Sequence, residues 1–99
     1  MNAPGLAAAE LALLRSVFSQ HSEIEKATLF GSRAKNTHNS RSDIDLALWG
    51  NLSRVQAEAI RAELDELPLP YRFDVQPFDS ITSESLRDHI LRIGIELHP

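Results

Sequence analysis

A chain of 99 residues with 42% apolar and 24% charged residues has the composition of a folded domain, which excludes a disordered or fibrous protein. It contains no cysteine, so a disulfide framework and a thiolate metal site are both excluded, and any metal falls to oxygen or imidazole donors. A formal charge of −4 gives no basic footprint for independent nucleic-acid binding, and no apolar run of about 18 residues offers a membrane span.

At this length residues 1–99 read as one domain with a single core. The start, MNAPGLAAAELALL, has no positive region ahead of its apolar stretch and carries Glu10 within it, which reads as a cytoplasmic protein.

Helical spacing of Ala7, Leu11, Leu14 and Phe18 predicts a helix from Pro4 to about Gln20. Ile24 to Phe30 and Ile44 to Trp49 are short apolar segments rich in strand formers, separated by a polar, turn-like stretch from Lys35 to Ser42. Asn51-Leu52-Ser53 caps a second helix carrying Val55, Ile60, Leu64 and Leu67, which ends ahead of Pro68 and Pro70. Tyr71 to Phe78 reads as a third strand. A third helix starts among Ser80 to Ser83 and runs to about Arg92, with Gly94 at its C-terminal cap and a short strand, Ile95 to Leu97, after it. This order predicts an α/β or α+β domain, a small mixed β-sheet flanked by helices.

Two stretches carry chemistry. In the first, Gly31 ends a strand and Ser32 opens a turn into Arg33-Ala34-Lys35; a glycine there lets a phosphate approach the backbone, and a serine hydroxyl adds a donor. Alone, this is also what an ordinary strand-to-helix turn looks like. In the second, Asp43 and Asp45 sit one residue apart on a strand, so both carboxylates share a face roughly 6 to 7 Å apart while Ile44 and Leu46 turn inward. Magnesium, which takes one or two protein carboxylates and fills its octahedron with phosphate oxygens and water, suits such a pair. An exposed polar strand face is the plainer alternative, but IDLALW is otherwise a buried-looking strand.

Together, Gly31-Ser32-Arg33-Ala34 and Ser42-Asp43-Ile44-Asp45-Leu46 closely resemble the motif of the DNA polymerase beta-like nucleotidyltransferase superfamily, in its minimal, antitoxin-type branch. The resemblance spans nearly the whole chain. It implies a third carboxylate on a later strand, which Asp74 in Tyr71-Arg72-Phe73-Asp74-Val75 matches, as metal ligand and base; Asp79 reads instead as a helix-start acid. It further implies that Asp43, Asp45 and Asp74 hold magnesium, two ions in all, and that Gly31 and Ser32 bind the β- and γ-phosphates of ATP while Arg33 neutralises phosphate charge. Asn36 stands where relatives often have glycine, and asparagine also tolerates left-handed backbone.

For Lys35 and Arg41 a solvated basic loop is at least as good a reading, and Trp49 reads as core or interface. His21, His38, His89 and His98 lack metal-ligand spacing and read as surface or loop residues. The branch implies transfer of AMP from ATP to a tyrosine of a HEPN ribonuclease toxin, with the chain as antitoxin in a hetero-oligomer and the partner forming the missing wall of the cleft. Two alternatives stay open: an antitoxin that neutralises by binding alone, and transfer to a small molecule.

Overall fold

The structure, a computed structural model, describes residues 6–31 and 43–99. Among the described residues the elements follow in the order α1 (Ala8–Ser19), β1 (Ile24–Phe30), β2 (Ile44–Gly50), α2 (Arg54–Asp65), β3 (Phe73–Pro77), α3 (Glu84–Ile93) and β4 (Ile95–His98), with a 3₁₀ turn at Phe78–Ser80. The sheet is mixed, in the order β3-β2-β1-β4: β1 runs antiparallel to β2 and β4, and β2 runs parallel to β3. The predicted α/β class is the observed one.

Strand alternation decides which side chains meet which layer. Ile44, Leu46 and Leu48 of β2 join Leu29, Phe73 and Val75 in a core closed by Leu11, Leu14 and Phe18 of α1 and Ile60 and Leu64 of α2. The opposite sheet face carries Phe30 and Ala47, covered by Phe78, Ile81 and Ile90, with Trp49 and Leu86 at its margin. Trp49 stacks on Phe78 with ring centroids 4.4 Å apart, so it is a packing residue, as read. Asp45 and Asp74, of opposite parity to the α1/α2 core, lie on the α3 face.

Element ends differ from expectation for local reasons. Helix α1 begins at Ala8 because the Glu10 carboxylate accepts the Ala7 N–H at 2.9 Å, and the Tyr71 hydroxyl donates to the same carboxylate; Pro4 lies outside the described residues. The cap of α2 is Ser53: its Oγ accepts the Gln56 N–H and the Gln56 side chain accepts the Ser53 N–H, a reciprocal box. Strand β3 spans Phe73–Pro77 where 71–78 is expected, and at its far end the chain turns at Phe78–Ser80.

Gly94 does cap α3, yet its backbone is extended (φ −61°, ψ 146°) instead of left-handed. Glycine is required there by crowding, since a Cβ would come within 2.3 Å of the Ile90 carbonyl oxygen and 2.4 Å of the Thr28 methyl group. Among the described residues no helix is long and apolar enough to cross a membrane.

Candidate active site

The end of β1 and the starts of β2 and β3 meet at one rim of the sheet. The register sets Phe30 opposite Asp45 and Asp45 opposite Asp74, so Asp45 stands between Phe30 and the second carboxylate in one row. Neighbouring strands lie about 4.8 Å apart, and like charges directly opposite destabilise a sheet. Asp43 enters this rim from the residue before β2.

Asp45 is half-buried, whereas Asp43 and Asp74 are exposed. Burial, then the Asp74 charge, then the Asp43 charge raise the Asp45 carboxyl from 3.8 to about 6. The rim is therefore an electrostatically unfavourable cluster of oxygen donors, the arrangement that a cation relieves.

Gly31 makes room for it. Its φ of +77° is left-handed backbone, and a Cβ at this position would lie 2.3 Å from Asp45 Oδ2. Glycine thus serves both the turn and the packing of the buried carboxylate against it. The Gly31 N–H donates to His89 Nε2 at 3.3 Å, and the His89 ring meets Phe30 edge-on. His89, read from the sequence as a surface or loop residue, is instead half-buried on α3, because the packing of that helix brings it to the turn.

The other described histidines are also engaged. His21 bonds both Glu23 and Glu63, at 2.9 and 2.6 Å, tying the α1–β1 connection to α2. The His98 ring packs near Phe18. Ser32, Arg33, Lys35, Asn36, His38 and Arg41 lie outside the described residues. Asp79 is exposed in the 3₁₀ turn, past the end of β3 and away from the carboxylate row in register.

The donor set fits magnesium in chemistry: carboxylate oxygens alone, with one acid held unfavourably by two others. Among the described residues no three carboxylate or imidazole side chains converge closely enough to form a complete ligand cage.

Comparisons with known proteins bear on the fold and the family. A family model described as polymerase beta, nucleotidyltransferase matches residues 13–98. Curated proteins give no match. Among solved structures, a toxin–antitoxin crystal with AMP-PNP is 21% identical with a TM-score of 0.75, over 88% of this chain and 71% of that one. An MNT antitoxin with tri-AMPylated Shewanella oneidensis HEPN toxin is 22% identical with a TM-score of 0.60, over 88% of this chain and 64% of that one. The MntA-HepT toxin–antitoxin structure is 22% identical with a TM-score of 0.59, again over 88% and 64%. With the family model covering most of its length and the carboxylate row in register behind a left-handed glycine, this chain belongs to the polymerase beta nucleotidyltransferase family.

Proposed function

We propose that residues 1–99 form one magnesium-dependent adenylyltransferase unit that moves AMP from ATP to a tyrosine hydroxyl of a HEPN-type toxin, acting in the cytoplasm as that toxin's antitoxin. The observation that carries this reading is the Asp45–Asp74 pair in direct register beside Gly31, in a chain of nucleotidyltransferase family. The AMP-PNP in one similar toxin–antitoxin crystal and the AMPylated HEPN toxin in another support the donor and the acceptor.

Asp43, Asp45 and Asp74 would hold magnesium, which when bound supplies positive charge to the triphosphate and to the oxygens that gain charge during transfer. Gly31, left-handed and packed against the Asp45 carboxylate, would set the turn that presents the β- and γ-phosphates to the residues after it, with Ser32 donating a hydrogen bond and Arg33 balancing charge. Asp74, exposed at the rim, accepts the proton of the acceptor hydroxyl. The acceptor oxygen forms its bond to the α-phosphorus as the bond from that phosphorus to the bridging oxygen breaks, and pyrophosphate departs with the electron pair.

Asp74→Asn tests this assignment. Transfer should fall by about 10²-fold or more, the usual scale for loss of a general base, while magnesium–ATP affinity and complex formation with the toxin persist. Full protection of cells by Asp74→Asn, with no modified tyrosine on the toxin, would leave a binding antitoxin as the correct reading.

A further inference from the structure

On the far side of Asp74 from Asp45, the sheet ends. Strand β3 is the last in the order β3-β2-β1-β4, so no described strand covers its outer side. The Ile44 N–H donates to the Arg72 carbonyl at 2.9 Å, which starts the parallel ladder and turns the backbone groups of Arg72, Asp74 and Gln76 toward β2. The N–H and C=O of Phe73 and Val75 therefore face outward, until Pro77 removes the next donor. Along this edge lies a cavity of about 400 Å³ between β3 and the first turns of α2, whose lining includes Arg54, Ala57, Glu58, Asp74, Val75 and Ser80. Arg54 is exposed and, among the described residues, pairs with no acid, whereas Arg61 and Arg92 are both paired.

We propose that this cavity is the acceptor site, and that the acceptor enters as an extended polypeptide segment laid along the open edge of β3. The inference rests on the nucleotidyl-transfer reading and specifies how its acceptor is presented. Strand addition gives main-chain bonds to Phe73 and Val75, and side chains facing the cavity give selectivity. A residue of the added strand opposite Asp74 lies about 4.8 Å away on the same sheet face, continuing the row Phe30, Asp45, Asp74. Its hydroxyl thereby arrives beside the acid that takes its proton. Two features favour a foreign segment over a second copy of this chain: the edge already carries Asp74, with Asp45 and Asp43 behind it, and the chain as a whole is negative. Arg54 and Glu58 in the cavity wall offer one cation and one carboxylate to the side chains that enter it.

Two variants test the site without touching the carboxylate row. Arg54→Glu reverses the charge at the first position of α2, where an acid suits the helix N-terminus, so folding is not threatened. Ser80→Trp fills the cavity from the 3₁₀ turn. With a HEPN-type toxin that the wild type modifies as acceptor, each variant should raise the KM for toxin by roughly tenfold or more, about 1.4 kcal/mol, and leave magnesium–ATP affinity within about twofold. Both should stay monomeric by light scattering when the toxin is absent, as should the wild type. Unchanged KM in both folded variants of an active wild type overturns the acceptor site and leaves the enzymatic reading standing. A wild-type dimer abolished by Arg54→Glu also overturns it, since the edge would then serve self-association. No transfer by the wild type would instead refute the enzymatic reading on which the site depends.

Discussion

Replacing Asp45 by asparagine removes the carboxylate that burial, Asp74 and Asp43 all disfavour, and keeps its shape. Raising a carboxyl from 3.8 to about 6 costs the ionised form about 3 kcal/mol. Because Asp45 is only half-buried and its neighbours are wet, the recoverable part is roughly 1 to 3 kcal/mol. Between 3.8 and about 6 the folded chain binds more protons at this site than the unfolded chain, so wild-type stability falls as pH rises through that window. Above about 6 the penalty is complete; below about 4 it is gone. Asp45→Asn should therefore melt higher than wild type at pH 8 in EDTA, by on the order of 5 to 15 °C for a domain of this size, and the gap should close toward pH 4. Magnesium should narrow it too, by stabilising the wild type alone. Thermal unfolding across pH, with EDTA and with magnesium, measures all of this. A variant that melts below wild type at pH 8 in EDTA would show that Asp45 is a structural acid with a favourable partner, and the electrostatic argument would fail.

Gly31→Ala should destabilise by about 1 to 3 kcal/mol, from the left-handed backbone and the collision with Asp45 Oδ2; in an Asp45→Ala background only the backbone cost, about 1 kcal/mol, should remain, and a double-mutant cycle by chemical denaturation reads the coupling. Thr28→Val should be neutral or stabilising by about 1 kcal/mol, because the Thr28 hydroxyl is buried with no hydrogen-bond partner among the described residues. ATP binding to this chain alone should be weak and should vanish in EDTA, since unscreened carboxylates repel the triphosphate; calorimetry showing equal, tight binding without metal would contradict the carboxylate–metal reading.

The elements were legible because their signals are local. The apolar run IDLALW, the Asn51-Leu52-Ser53 cap and the helical spacing of Leu11, Leu14 and Phe18 each mark a segment without reference to the rest. Asp43 and Asp45 could be placed on one face by parity alone, but that Asp74 stands opposite Asp45 is a fact of parallel register, set by how β3 docks on β2. Only the resemblance of motifs pointed to it. His89 and the cavity at the edge of β3 left no trace in the sequence, since both arise where distant elements pack: α3 against the end of β1, and α2 against β3. Gly94 was found at its cap for an incomplete reason, because the pattern of helix endings says nothing of the Thr28 side chain that crowds it.

The most direct test of the account is transfer itself. The purified chain, magnesium, ATP labelled at the α-phosphate and a HEPN-type toxin that the chain binds should yield toxin covalently labelled with AMP on tyrosine, and Asp45→Asn should abolish the label while still binding the toxin. Toxin that is neutralised by the chain yet carries no label, with wild type and Asp45→Asn equally protective, would contradict it.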